Sequence, residues 1–357
     1  MAEKAIRLGG ESTADAIVGA VDAMYTEHTF AEKDFALKHN EDEISVDTNF
    51  AAQNFWKEAL IRFFNKKSAV LGLVLIVVIV LLAVFGPGMN SYTYSGQDLS
   101  QKNFAPRVPG IEQLGILDGS EKMSTTTGTK VTNAYQEKDK PDVYYWFGSD
   151  LYGRDIWTRT WEGARVSLII AVAAAIIDMV IGMSYGLISG YFGGRVDMVM
   201  QRFLEVANGI PRLVIVTLLL LVLQPGMVTI IFALMLTEWV GMSRIARAEM
   251  LKLKDQEFVL ASRTLGAGSF FIIFKEVLPN IIGPIITQVM FSIPTAIFTE
   301  AFLSFVGLGI PVPQCSLGSL ISELYNSFTT HPYQIIPPIV VMSLLMLSFN
   351  LVADGLR

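Results

Sequence analysis

Apolar residues in this chain are gathered into long runs instead of being spread at the spacing of a half-buried soluble helix. Ser68 to Phe85 is almost wholly Val, Leu and Ile and is stopped by Gly86-Pro87-Gly88. Comparable stretches cover Ala164 to Ser189, Ile210 to Leu223, Met227 to Gly241, Ile281 to Val306 and Ile339 to Val352. In hydrocarbon each backbone N–H and C=O must be satisfied within the segment, so runs of this kind predict helices. The pattern predicts an all-α polytopic membrane protein with six transmembrane helices. Pro284 and Pro294 are expected to kink the fifth.

The polar positions orient these spans. Lys57, Arg62, Lys66 and Lys67 precede the first span, Arg195 and Arg202 follow the second, and Arg244, Arg247, Lys252, Lys254, Arg263 and Lys275 lie between the fourth and fifth. The positive-inside rule puts those segments in the cytoplasm, with both termini inside a multi-pass protein of the cell membrane. The expected organisation is a cytoplasmic N-terminal segment and interfacial helix (1–67), a first transmembrane helix (68–88), an extracellular insertion (89–147) and a core with five more spans (148–357). That core carries a cytoplasmic loop at 244–279. The insertion is rich in Ser, Thr, Gly and Pro, cannot rest in hydrocarbon and is long enough to fold as a small subdomain. It reads as a contact surface for an external protein, or as a lid or spacer.

Composition supports the same class. The 357 residues are 52% hydrophobic and 17% charged, with a mean hydropathy of +0.47. A net charge of −6 gives no sign of nucleic-acid binding. Cys315 is the single cysteine, and His28, His39 and His331 are far apart, so neither a metal cluster nor a nucleophile–histidine arrangement is indicated. Within the acidic stretch 1–54, Ile17, Val18, Val21, Met24 and Tyr25 recur at helical spacing, with Ser12 or Thr13 as N-cap. A segment packing on a partner subunit and a solvated tail are both open readings.

Four ordered motifs carry chemistry. In the loop at 244–279, Glu257-Phe258-Val259-Leu260-Ala261-Ser262-Arg263-Thr264-Leu265-Gly266 reads as a short helix closed by a glycine turn. Gly266 accepts positive φ without strain, and small Ala261 and Ser262 let another surface approach the backbone. With Leu278-Pro279 the stretch resembles the coupling loop of ABC importer permeases. It departs at Leu260, where that pattern has Glu, and at Glu276, where it has Ile. Phe147-Gly148-Ser149-Asp150-Leu151-Tyr152-Gly153-Arg154-Asp155-Ile156, with Arg159, Gly163, Arg165, Ser167 and Leu168, resembles the entrance to the second span of oligopeptide and dipeptide permeases. Gly190 to Asp197 with Ile210-Pro211, and Thr299 to Gly309, are similar to further signatures of the same family. Near Cys315, Leu317-Gly318 stands where the family has Trp-Gly, and Asp354-Gly355-Leu356-Arg357 resembles the family's last motif.

The resemblance implies the transmembrane subunit of an ATP-driven importer for short peptides, paired with a second homologous permease. It also implies two P-loop ATPase subunits that bind ATP and Mg, an extracellular solute-binding protein, and contact with membrane lipid. No Gly-Lys dipeptide occurs, so the phosphate-cradling loop is absent from this chain. It is expected to be no enzyme, to hold no cofactor, and to be driven through residues 257–266. Asp178 and Glu300 are the candidate solute-path residues, with helix-packing hydrogen bonds as the alternative reading. Gly182, Gly186 and Gly190 recur four apart, a spacing that more often marks close helix packing. The same architecture could import a nickel chelate or another small solute. A self-sufficient secondary transporter or channel would show an inverted repeat or several coupled intramembrane charges.

Overall fold

The computed structural model describes residues 55–125 and 128–357. The helical signal at Ile17 to Tyr25 lies outside those residues. Helix α1 (Phe55–Asn65) leads into α2 (Lys67–Phe85), whose end is a 3-10 turn at Gly86–Gly88. The insertion holds a hairpin, β1 (Ser120–Thr125) and β2 (Gly128–Asn133), paired antiparallel with Ser120 opposite Asn133, and a short helix α3 (Ala134–Glu137). Then come α4 (Ile156–Phe192), α5 (Gly194–Gly209), α6 (Arg212–Val222), α7 (Met227–Leu253) and α8 (Glu257–Thr264). The chain closes with α9 (Ser269–Leu308), α10 (Leu317–Tyr325) and α11 (Ile336–Leu356).

Helices α2, α4, α7, α9 and α11 are each long and apolar enough to cross a bilayer. The sixth crossing is different. The expected span at Ile210 to Leu223 is only the 11-residue α6, which rises about 16 Å against a hydrocarbon core of about 30 Å. Only together with α5 is it long enough to cross, and the two axes meet at 73°. Pro211 explains the bend, because its ring drives the preceding residue out of the helical region. Ile210 accordingly has φ −84° and ψ 123°. Elsewhere the helices overrun the apolar runs: α4 begins at Ile156, α7 continues to Leu253 and α9 starts at Ser269. Much of the loop at 244–279 is therefore helix. Pro284 and Pro294 both lie inside α9.

The main core joins Ile170 and Ala174 of α4, Ile230 and Leu234 of α7, Ile293 and Ile297 of α9, and Leu345 of α11. Small residues let the helices close on it. Gly72 of α2 faces the Ser348 carbonyl and Gly355 of α11 faces Ala69, so the first and last spans pack backbone to backbone. Gly182, Gly186 and Gly190 form a second seam, on α4, against Trp239, Ser243 and Met250 of α7. This is the close-packing reading of their spacing.

The insertion is folded. Phe104, Tyr135 and Tyr145 are buried together, Tyr92 stacks on Tyr145 at 4.5 Å, and the Tyr135 hydroxyl donates to the Ala105 carbonyl at 2.7 Å. Burial pushes the Tyr135 and Tyr145 phenols well above their ordinary range. Ser149 joins the insertion to the core: its hydroxyl donates to the Gln101 carbonyl at 2.6 Å and accepts from the Phe104 N–H at 2.8 Å. The Gln334 amide donates to the Ser149 carbonyl at 3.0 Å, and the His331 ring nitrogen lies 2.9 Å from Glu121 of β1.

A Cβ at Gly186 would stand 2.1 Å from the Ser243 carbonyl oxygen and 2.8 Å from the Arg247 nitrogen, both backbone atoms that cannot swing aside. Gly186→Ala is expected to destabilise the folded chain by about 1–3 kcal/mol, the range for overpacking. Gly241→Ala, on the same α7 but with open space around it, should cost nothing. Thermal unfolding of both variants in one detergent checks the contrast.

Candidate functional site

Helix α8 is the element of the 257–266 motif. Glu257 sits in its first turn and Arg263 in its last, each complementing the helix dipole. Its end is a Schellman turn: Gly266 has φ +85°, the Gly266 N–H donates to the Arg263 carbonyl and the Ala267 N–H donates to the Ser262 carbonyl, both at 3.0 Å. Only Val259 points inward, fully buried among Met250 of α7, Leu187 of α4 and Ile272, Ile273 and Val277 of α9. Glu257, Phe258, Leu260, Ala261, Arg263, Thr264, Leu265 and Gly266 are exposed, and Ser262 is half-buried. Leu265 is 88% exposed, a large apolar side chain standing free at the tip. The Arg263 guanidinium lies 5.4 Å from the ring centre of Tyr191, on α4. The motif is thus a knob with an exposed outer face and a root in three long helices.

Below the knob, Asp197 of α5 accepts from the Arg247 guanidinium at 2.6 and 2.5 Å and from the Ser189 hydroxyl at 2.6 Å. This bidentate pair ties α5 and α7 to the end of α4. Sequence reading placed Asp197 and Arg247 in separate motifs and did not pair them.

Asp178 opens a π turn in α4, Asp178–Gly182, and is buried. Ser292 of α9 and Glu238 of α7 stand close enough to act on its carboxyl group. Its Oδ1 has no hydrogen-bond partner among the described residues. The Thr299 hydroxyl lies 3.4 Å from Glu238 Oε1. Glu238 is half-buried inside α7 beside this group. Two carboxyl groups and two hydroxyls from three helices therefore share one interior region.

Glu300 is different in kind. Fully buried in α9, it accepts from the hydroxyls of Ser304 at 2.8 Å, Ser316 at 2.5 Å and Ser167 at 3.2 Å. Ser167 also accepts from the Leu317 N–H at 3.0 Å, and Ser316 caps α10. The carboxyl group joins α4, α9 and α10, and its geometry is that of a packing hydrogen bond. Gly318 belongs to this joint: a Cβ there would meet Ala301 Cα at 2.3 Å. That small contact occupies the stretch where the sequence departs from the family pattern.

At the insertion end the Gly-Ser-Asp and Gly-Arg-Asp stretch builds an ionic square in which Asp150, Arg154 and Arg159 are buried and Glu323 is half-buried. Asp150 Oδ2 accepts from Arg154 Nε at 2.6 Å and from Arg159 Nη1 at 2.8 Å. Glu323 of α10 accepts from Arg159 Nη2 at 2.8 Å and pairs with Arg154 Nη2. Gly153, at φ +72°, would drive any Cβ into the Asp98 carbonyl. Asp155 caps α4 by accepting from the Thr158 N–H at 2.8 Å, and burial holds its carboxyl above the ordinary carboxylate range. Glu323 was not foreseen, although it is the one Asp, Glu, Lys or Arg between Glu300 and Asp354. An isolated charge in so apolar a stretch is a signal that it is paired.

This chain matches two family models: "Binding-protein-dependent transport system inner membrane component" over residues 182–357 and "N-terminal TM domain of oligopeptide transport permease C" over residues 54–106. It is 40% identical over 304 residues to the oligopeptide transport system permease protein OppC of Bacillus subtilis, spanning 85% of this chain and 88% of that one. It is also 40% identical over 334 residues to the dipeptide transport system permease protein DppC of Lactococcus lactis, covering 91% and 96%. The chain belongs to the binding-protein-dependent transport permease family. A solved chain of the MetNI methionine ABC transporter aligns with TM-score 0.45 and 15% identity, over 55% of this permease and 94% of that chain. The permease is a multi-pass membrane transport subunit, and the motifs at 147–168, 190–211 and 299–309 each sit at a helix junction in its fold.

Burial works against the Glu323 charge, but Arg159 and Arg154 outweigh it and hold the carboxyl below the ordinary range. A lowered folded-state value stabilises the fold above the ordinary carboxylate pKa, and that contribution is lost as pH falls through the lowered value. Glu323→Gln is expected to cost about 3–5 kcal/mol at neutral pH, because two buried guanidinium groups lose a charge partner. Its stability should also fall less steeply on acidification than that of the parent. Unfolding curves for both proteins from pH 3 to 7 measure the difference.

Proposed function

We propose that this permease is one transmembrane subunit of an ATP-driven importer of short peptides, partnered by a second homologous permease, two P-loop ATPase subunits and an extracellular solute-binding protein. The observation that carries the reading is the knob at α8, which offers an exposed face to a partner while rooted in the helices that partner must move. Similarity to oligopeptide and dipeptide permeases over most of the chain supports the cargo class. ATP and Mg belong to the ATPase subunits. The basic residues around α8 favour a cytoplasmic knob, with both termini on that side and the insertion outside.

Force on α8 has two routes inward. Val259 transmits it into α7 and α9, and Arg263 transmits it to Tyr191 of α4. The glycine seam obliges α4 and α7 to move together, since their backbones touch. Local give is available where α-helical pairing is interrupted, in the π turns at Asp178–Gly182, Ile272–Val277 and Ser304–Leu308. ATP-driven closure of the ATPase pair biases such an assembly between inward-open and outward-open arrangements.

Asp178 is the favoured contact for cargo. Its partnerless carboxylate oxygen beside Glu238 suits the ammonium group of a peptide, whereas the Glu300 carboxyl is already occupied by three hydroxyls. Both stand as solute-path proposals, with Asp178 the better supported.

Leu265→Asp should leave the fold intact, because the side chain is free of the core, and reduce ATP-dependent uptake at least about tenfold, as loss of an anchor residue does. Gly266→Asp should do the same and also strain the turn at φ +85°. Uptake into proteoliposomes containing the full assembly measures both, and normal transport in both would sink the coupling assignment. Asp178→Asn is expected to raise KM for free-amine peptides while sparing N-acetylated ones. Equal effects on the two would argue for a packing role.

A further inference from the structure

Helix α5 is held to the bundle only as far as Leu204, the one buried residue of its sixteen. Leu204 packs on Trp239 and Val240 of α7, and the Tyr185 hydroxyl of α4 donates to the Met200 carbonyl at 2.8 Å. Ahead of these contacts, in the first turn, stands Asp197 with Arg247. Among the described residues this is the one ion pair that joins α5 to another helix. From Glu205 to Pro211 no residue is buried, and α6 regains the bundle through Val216, packed with Ala233 of α7 and Leu303 of α9.

The backbone does not set the direction of α5. Gly193 and Gly194, which join it to α4, have φ of +59° and +52°, and a Cβ on Gly194 would meet no atom within 4 Å. Two left-handed residues in open space break the line of α4, and at the other end the chain bends by 73° before α6. Side chains must therefore orient α5. Two parallel N–H···O bonds from one guanidinium fix both a distance and a plane, so the Asp197–Arg247 pair constrains it more than the single hydroxyl bond at Met200 does. Arg247 is itself firmly placed. Its backbone nitrogen is among the atoms that crowd Gly186 of α4, and Met250, one turn on, packs with Val259 of the knob.

We infer that Asp197 and Arg247 are positioning residues for transport, a tether through which displacement of the knob turns the bent segment α5–α6 about Gly193-Gly194. One helix carries both Met250 and Arg247, so a push entering at Val259 moves them together and Asp197 follows. The segment that turns is the one with fewest buried side chains, which makes a second position least costly for it. The source of the push rests on the import function proposed above; the tether itself does not. Two nitroxide labels read it, at Asn208→Cys beside the bend and at Leu114→Cys on the insertion, in a Cys315→Ala background. The full permease is purified with its native partners, and the distance distribution between the labels is measured by double electron–electron resonance. Without nucleotide the distribution should be narrow in the parent and clearly broader in Asp197→Asn. With ATP trapped by vanadate its centre should shift in the parent and stay in place in Asp197→Asn.

In proteoliposomes Asp197→Asn should lower peptide uptake about tenfold while ATP hydrolysis falls less than about twofold, the split expected when coupling and not the motor is lost. Exchanging the charges, Asp197→Arg with Arg247→Asp, should narrow the distribution again and recover much of the uptake, which separates the tether from a general loss of fold. Arg202→Gln breaks an exposed pair made within α5 and should change neither reading. An equally narrow distribution in Asp197→Asn would overturn the proposal, as would failure of the exchange to restore it. So would a parent that transports with no shift in the distance. If the parent showed no ATP-dependent uptake at all, the import function would fall, while the width measured without nucleotide would still decide whether the pair orients α5.

Discussion

Two buried guanidinium groups, one buried carboxylate and one half-buried carboxylate at the insertion end hold the permease in register. Asp150, Arg154, Arg159 and Glu323 come from the loop before α4, from α4 itself and from α10, and each charge has opposite-sign partners in two directions. Desolvation makes such a group costly, so it persists only when all members meet together. That requirement fixes where α10 lies on α4, and hence where Ser316 and Leu317 meet Ser167 and Glu300. The folded insertion is built on the same base, through Ser149 beside Asp150 and Gln334 beyond α10.

The opposite end is joined by other means. Glycines bring the backbones of α4 and α7 into contact, one bidentate pair from Arg247 to Asp197 adds α5, and the knob at α8 inserts a single buried side chain, Val259. Shape complementarity and dispersion carry most of the contact here, where the insertion end relies on fixed charge. Between the ends lie the π turns and the interior group of Asp178, Glu238, Ser292 and Thr299. One end is joined by ionic bonds, the other by close packing, and the polar group lies between them.

How much was legible beforehand follows from the range of each interaction. Apolar runs determine helices by a local rule, because the backbone in hydrocarbon has no other partner. The spans and the glycine turn after Thr264 were therefore readable from the chain, as was the knob, whose Schellman turn is made within six residues. The limits of that rule appear at Pro211, where the expected span Ile210 to Leu223 proves to be the short α6 meeting α5 at 73°, and at Leu253 and Ser269, where helices continue into polar sequence beyond the apolar runs. Pairings across long separations were not readable. Glu323 lies 169 residues from Arg154, Asp197 lies 50 from Arg247, and Ser167 lies 133 from Glu300. Charge, spacing and hydropathy say that such groups need partners. Which partner each receives is decided only when the helices pack, since close approach depends on glycine contacts and crossing geometry that no local pattern encodes.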